Sequence, residues 1–313
     1  MSSSPEPEQT AEAMGRRVRI PWLVDLVIVD QPAEILGLAA EPRLDRDFNR
    51  GRGPLVNRVI TRRIRRHLRT NGHFLPAVAP QSDPRRAERQ ESLERQLDPS
   101  RNEPLWDDAV IDELANYVGG TGNDAHIGPV VQQAVGRLFD PGYVATAESY
   151  EAARLIDGIG SANPIKYLWW RLSGKLARAR NLLWRLAKDD GHAVHGTAIA
   201  MHNIVRALER MRALRTNPGV RPRLSEASIL AQCLVAPPRV IRVATEAFET
   251  PPAGRRVQPG TLVMMKLDQA RHRAPEPAIT FMSDSWSRCP ARAFVPALLL
   301  AVWHKAEEAG YGR

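Results

Sequence analysis

Cysteine is nearly absent from this 313-residue chain, which has Cys233 and Cys289 and no others. Two cysteines cannot build a disulfide framework, and neither sits in a Cys-x-x-Cys pair or at a zinc-binding spacing. A reduced protein of the cytoplasm is the natural reading. Aromatic residues make up 6% of the chain against 43% hydrophobic residues, which suits a helical interior rich in Leu and Ala. Long apolar runs are missing too: "FVPALLLAVW" falls well short of the ~20 residues a membrane span requires. The opening "MSSSPEPEQTAEAMG" has no apolar stretch and leads into "RRVR", so residues 1–18 are expected to be a disordered leader and not a secretory signal. Neither GxSxG nor HExxH occurs, and "GGTGND" at Gly119 follows a helical pattern and lacks the Lys of a phosphate loop, which makes it a turn.

Positive charge, by contrast, is plentiful. Lys and Arg number 44 against 35 Asp and Glu, for a net charge of +9 and a pI near 10.1, a balance that favours acidic partners. Much of it lies in "PLVNRVITRRIRRHLR", residues 54–69, where Leu55, Val56, Val59, Ile60, Ile64 and Leu68 recur at helical spacing with Arg62, Arg63, Arg65, Arg66 and Arg69 around them. No interleaved aromatics or helix-turn-helix pattern accompany these arginines, so nucleic acid is not indicated. A basic face of this kind suits an acidic electron-transfer partner.

Residues 19–313 read as one mainly helical domain with minor β-structure. "WLVDLVIVD" has the look of a strand, and Pro32 starts a short helix after it. Residues 76–104 are rich in Pro, Arg and Glu and read as an exposed excursion. Helices follow at "DDAVIDELANYV", "PVVQQAVGRLF" and "TAESYEAARLIDG", the last with Thr146 as N-cap. Residues 165–188 are expected to form one longer helix with Ile165, Leu168, Leu172, Leu176, Leu183 and Leu186 as its buried stripe. The next helix, around residues 193–214, places Met201, Ile204, Val205, Leu208 and Met211 on one face. Near its start His192, His195 and His202 have a spacing that brings side chains to neighbouring helix faces, but no carboxylate joins them at ligand spacing except Asp189 and Asp190, so a metal site is the weaker reading.

The last third changes character. "SEASILAQCLVAPPRVIRVATEAF" reads as a helix stopped by Pro237 and Pro238 and then a strand, "GRRVQPGTLVMMKLD" as a turn and further strands, and "FMSDSWSRCPARAFVPALLLAVW" as a polar loop around Cys289 that opens an apolar helix. This order resembles the C-terminal third of the cytochrome P450 family, from about Ser225 to Glu308. "VIVDQPAEILGLAAEPRL" resembles that family's N-terminal strand and helix, and the 193–214 helix falls where its long haem-crossing helix lies.

The resemblance implies a shortened P450-like fold, haem as cofactor and Cys289 as the thiolate ligand of its iron. A thiolate pushes electron density onto iron, and its place before a helix supplies N–H groups that stabilise the charge. Arg242 of the Pro-Pro-Arg strand would hold a haem propionate, with Arg288 and His195 as further haem contacts and Thr197 in "HGTA" near the family's oxygen-handling Thr. The implied function is a haem-thiolate monooxygenase that oxidises an apolar small molecule with electrons from an acidic, ferredoxin-type donor. The alternative is a non-catalytic P450-like scaffold that binds a ligand or a partner protein. Its basis is a set of departures: the family's helical Glu-x-x-Arg falls on Ala231 and Leu234, and its loop glycines fall on Ser285 and Ala291.

Overall fold

Val24–Val29 alternates half-buried and buried residues, as a strand does when one face meets a core, and forms β2. Its antiparallel neighbour β1 (Arg16–Ile20) takes up residues expected to end the leader. This computed structural model describes residues 15–48, 53–70, 73–75, 79–101, 105–122, 126–160, 162–216, 224–250 and 254–310, so the rest of the leader lies outside the described residues. α1 (Pro32–Ala40) starts on its proline, and β3 (Leu44–Asp45) follows.

The sheet closes far along the chain, where β6 (Val240–Ala244) and β9 (Leu262–Met265) complete five strands in the order β1-β2-β9-β6-β3. β2 and β9 are parallel, with Leu26 opposite Leu262 and Val29 opposite Met265, and every other pairing is antiparallel. α2 (Leu55–Leu68) packs Ile60 and Ile64 on this sheet beside Leu26, Val243 and Leu262, and β4 (Arg69–Thr70) pairs with β5 (His73–Phe74) just beyond it. A second small ribbon joins β7 (Phe248–Thr250) to β8 (Arg255–Val257). α12 (Leu267–Arg273) and α13 (Pro277–Phe281) build a core with α1 and the sheet around Leu38, Val263, Leu267 and Ile279.

A larger core holds the helical half. The segment expected as an exposed excursion contains α3 (Arg86–Gln96), whose Leu93 enters that core. α4 (Asp108–Val118), α5 (Ile127–Arg137) and α6 (Ala147–Asp157) follow, and α6 has the expected Thr146 cap: its hydroxyl accepts from Ser149 N–H while Ser149 Oγ accepts from Thr146 N–H. The single helix expected over 165–188 is two helices, α7 (Pro164–Leu172) and α8 (Lys175–Leu186). Gly174 breaks it, with φ of 70°, a left-handed conformation that glycine adopts without steric cost. Leu176 and Leu183 are buried as expected, whereas Ile165, Leu168 and Leu172 point to solvent.

The long helix after α8 is interrupted rather than continuous. α9 (Gly191–His195) passes into one π-helical turn over Gly196–Ala200 and then α10 (Met201–Thr216). Thr197 Oγ1 donates to the Ala193 carbonyl at 2.7 Å, a back-bond within the helix that accompanies the widened turn. Gly196 is tightly backed, since a Cβ there would stand 3.1 Å from Val135 and 3.2 Å from Phe139. α14 (Phe294–Glu308) completes the core against α4 and α10 through Leu298, Leu299 and Val302.

α11 (Glu226–Cys233) contains Ala231, and Leu234 follows as its C-cap. Two arginines from elsewhere satisfy its C-terminal end. Arg271 of α12 donates to the carbonyls of Leu230 and Ala231 and, through Nε, to Thr280 Oγ1 at 3.1 Å, while Arg210 of α10 donates to the Leu234 carbonyl at 2.8 Å. Positive charge at a helix C-terminus is favourable, and buried carbonyls without donors are costly. Arg271→Met, which keeps the stem and removes the donors, is therefore expected to lower stability by about 2 kcal/mol in urea unfolding. An unchanged midpoint would show that water can replace the guanidinium there.

Candidate functional site

The loop from Met282 to Pro290 is shaped by its own serines. Met282 leaves α13 with φ of 49°, Ser285 N–H donates to Met282 O, Ser287 N–H donates to Ser285 Oγ, and Arg288 N–H donates to Ser285 O. These turns carry the chain back so that Cys289 N–H donates to the Phe281 carbonyl at 2.8 Å. Cys289 then caps a short 3-10 turn over Pro290–Arg292, which starts on a proline, as a first helical residue can be.

Arg242 organises what lies behind the loop. It belongs to β6, is 0% exposed, and donates to the carbonyls of Ala39 at 2.7 Å and Leu38 at 3.4 Å and to Ser287 Oγ at 2.6 Å. Its guanidinium lies 4.8 Å from the Trp286 ring, which Arg86 also approaches at 4.6 Å and Arg46 at 5.7 Å. One indole thus gathers three guanidiniums from the β3 end, α3 and the sheet. Burial is the main cause that lowers the Arg46 pKa to about 9 and that of Arg242 to about 10; neighbouring arginines lower both further, and Asp45 opposes them. Arg86 is lowered mainly by burial as well, and it holds the Ala79 carbonyl through Nη1.

The same cluster reaches the thiol and the long helix. Arg46 is close enough to Cys289 and to His195 to influence their titration. Burial, then Arg46 and His192, push His195 down to about 4, so its imidazole is neutral. Burial raises the Cys289 thiol despite an N–H at Ala291 and the charges of Arg292 and Arg46, which act the other way. Arg46, His195 and Cys289 each keep accessible surface although desolvation is the largest influence on each. Their influence on one another's titration puts them in one neighbourhood. Several buried atoms around it have no partner: Nε of Arg86 and Arg242, Nε1 of Trp286, and Nδ1 of His195 and His192.

The sequence-predicted residues separate into those the structure gathers and those it turns elsewhere. Cys289, Arg242 and His195 meet through Arg46. Arg288 is turned to α3: its Nε and Nη2 contact Glu94 at 2.7 and 3.1 Å, and Arg292 contacts the same carboxylate at 2.8 Å. Thr197 is 0% exposed, bonded to Ala193, and held on the α5–α6 side, where Gln132 bridges the Thr197 and Ser149 carbonyls. His202 packs on Tyr150 with ring centroids 5.8 Å apart, away from the cluster, and Cys233 is fully buried with its thiol pushed to about 11. Arg46, Arg86, Trp286 and Glu94 were not singled out from sequence. "SDSWSRC" offered one signal, a large aromatic within a serine-rich loop.

Among the described residues no group of three or more His, Cys, Asp or Glu could hold a metal ion, and no helix is long and apolar enough to cross a membrane. No family model matches the sequence, and no curated protein matches it. Solved structures do match. CYP175A1 from Thermus thermophilus aligns with a TM-score of 0.60 at 14% identity, over 93% of this chain and 83% of that one. A six-coordinated cytochrome P450 from another strain of Thermus thermophilus gives 0.57 at 16% identity, over 90% and 84%. The myxobacterial cytochrome P450 CYP267B1, solved with myristic acid, gives 0.52 at 16%, over 93% and 84%. At such identities the likeness is one of backbone, and it extends over nearly the whole chain: this protein has a shortened, mainly α cytochrome P450-like fold.

Proposed function

We propose that the chain is a haem-thiolate monooxygenase acting on an apolar small molecule, with Cys289 as the iron ligand. The observation that carries this reading is the hydrogen-bond deficit of buried cations beside the thiol. Asp45 is the acid that acts on both the Arg86 and the Arg242 guanidinium, and Asp83, which also acts on Arg86, is paired with Arg89 at 3.3 Å. Positive charge is therefore in excess there, and donors of Arg86, Arg242 and Trp286 are unused. Haem carries two carboxylates and an iron that accepts a thiolate, so its chemistry suits both the arginines and the thiol.

Arg242, Arg86 and Arg46 would hold the two carboxylates in this reading, and the Trp286 ring draws the three mutually repelling guanidiniums together. Cys289 would hold the iron as a thiolate, because a cation at the sulfur would offset the burial penalty that keeps the thiol protonated. The N–H at Ala291 and the charge of Arg292 then stabilise the thiolate. Haem held by a thiolate supplies the activation of dioxygen, for which an acidic, ferredoxin-type protein is the proposed source of electrons. His195 lies within the electrostatic reach of Arg46, and its neutral imidazole could accept or pass a proton there. A non-catalytic binding scaffold is the second reading, and one observation favours it: the Thr197 hydroxyl is committed to Ala193 on the far side of the helix.

Protein produced with a haem precursor is expected to show a Soret band, and carbon monoxide added after reduction to give the red-shifted band of thiolate ligation. Cys289→Ser should abolish that shift and Cys233→Ser should retain it; equal spectra from the two would reduce the likeness to one of fold. Arg242→Ala should weaken haem retention by about tenfold or more while leaving the ligation type intact, since one charged hydrogen bond is worth about 1.5 to 3 kcal/mol.

His195 also sets an acid limit on the haem-free protein. Its pKa falls from 6.5 to about 4 on folding, so between those values the unfolded chain binds the extra proton. Its contribution to stability is complete above about pH 6.5 and is lost as the pH falls toward 4. His195→Gln should flatten the decline of the urea midpoint across that window, and an unaltered slope would assign the decline to His192 and His202, which burial also depresses.

A further inference from the structure

Glu94, in the last turn of α3, gathers four donors. Its Oε1 accepts from Arg288 Nε at 2.7 Å, Arg292 Nη1 at 2.8 Å and Gln90 Nε2 at 2.8 Å, and its Oε2 accepts from Arg288 Nη2 at 3.1 Å. The Arg288 contact is bidentate, which fixes the plane of the guanidinium as well as its distance. Gln90, one helical turn earlier on the same face, also donates to the Arg288 carbonyl at 3.1 Å. Burial opposes ionisation of Glu94, but the hydrogen bonds of Arg288 and Gln90 and the charges of both arginines outweigh it and hold the carboxyl below the usual carboxylate range. A carboxylate in the last turn of a helix meets the negative end of the dipole, so Glu94 does not serve α3 itself.

What it serves is the pair of arginines on either side of Cys289. Arg288 ends the serine turns, with its N–H on Ser285 O at 3.1 Å. Arg292 ends the 3-10 turn over Pro290–Arg292, with its N–H on Cys289 O at 3.2 Å, and within that turn lies the Ala291 N–H that bonds to the thiol. The charges of Arg292 and Glu94 both reach the sulfur, with opposite sign.

Folding stability accounts for little of this clamp. The Glu94 side chain is 18% exposed, those of Arg288 and Arg292 are 33% and 37% exposed, and a cavity of about 440 Å³ opens beside Glu94 and Arg292 between α3 and the turn. Ion pairs that solvent reaches contribute little to stability. Its consequence lies in the charges and the N–H group that it fixes around one sulfur.

We propose that Glu94 is a positioning residue for the iron ligand: it binds Arg288 and Arg292 to α3, and so fixes where their charges and the Ala291 N–H stand relative to the Cys289 sulfur. This role rests on the haem-thiolate reading. The donation of a thiolate to iron weakens as positive charge and N–H donors approach its sulfur. One carboxylate shared by the two flanking guanidiniums lowers the net positive charge at the loop, so the thiolate keeps its donor strength and the oxidised form of bound haem is favoured. Gln90 orients the carboxylate for this task from the same helix.

The test is redox titration of the haem-loaded full chain, with the carbonyl spectrum as a second readout. Glu94→Gln keeps an oxygen for the arginines and removes the charge. At the wild-type midpoint potential its ferrous-to-ferric ratio should rise by about threefold or more, and its carbonyl band should move to shorter wavelength. Arg292→Gln removes the opposite charge and should lower the ratio, whereas a purely structural clamp would move both variants in one direction. Glu94→Asp, which restores the charge on a shorter arm, should return the ratio toward the wild-type value. A wild-type protein without the thiolate band would end the haem reading and this role with it. A wild-type band together with an unchanged ratio in Glu94→Gln, or with shifts of one sign in both variants, would overturn the role of Glu94 alone. An unchanged or raised ratio in Arg292→Gln would do the same, whether or not Glu94→Gln takes up haem.

Discussion

A guanidinium without exposed surface has to find acceptors inside the protein, and the site depends on how Arg242 does so. Removing an ion from water costs at least several kcal/mol unless hydrogen bonds and polarisable neighbours replace the solvent. Arg242 obtains them from three places at once: the last carbonyls of α1, the hydroxyl of Ser287 and the Trp286 face. The first of these ties the sheet to α1, and the others tie it to the cysteine loop. The loop therefore has its shape because a residue of β6, inside the sheet, requires an oxygen and a ring at those positions. Its remaining Nε makes no hydrogen bond among the described residues and, in the proposed function, is the donor that a bound carboxylate would satisfy.

α3 secures the loop from the other side. Glu94 accepts from both Arg288 and Arg292, and Gln90 donates to the Arg288 carbonyl at 3.1 Å, so the residues before and after Cys289 are anchored to one helix. From the opposite end of α3, Arg86 reaches Trp286. One short polar helix thus clamps the loop outside and contributes a cation inside. Its low apolar content, which reads as an exposed excursion in the sequence, follows from this duty: a helix whose contacts are ionic needs few buried side chains.

The architecture was legible where local rules coincide with packing. Thr146 capped its helix, Pro32 began another, and the order of strand, ribbon and cysteine loop in the last third pointed to the fold that the solved structures share. Cys289 and Arg242 were legible for the same reason, since each lies in a short run with fixed neighbours. Arg46 and Arg86 were not, because they sit among many arginines in sequence and are distinguished only by converging on Trp286 from distant parts of the chain. Thr197 and His195 show the limit of periodicity. A π turn that begins between them rotates the two ends of the helix relative to each other, so a face assigned by 3.6-residue spacing is lost at that turn.

The same logic applies at the end of α11, where Ala231 and Leu234 carry no charge. The carbonyls there need donors, and the segment that leads into the cysteine loop needs an anchor. Arg271 supplies both, since it is anchored in α12 and touches α11 carbonyls and Thr280 of α13 together. The requirement is for hydrogen-bond donors at a buried helix terminus, and a guanidinium from another element satisfies it without a partner carboxylate. The cysteine loop is thus held in place by arginines contributed from both sides, Arg271 through α13 and Arg242 through Ser287.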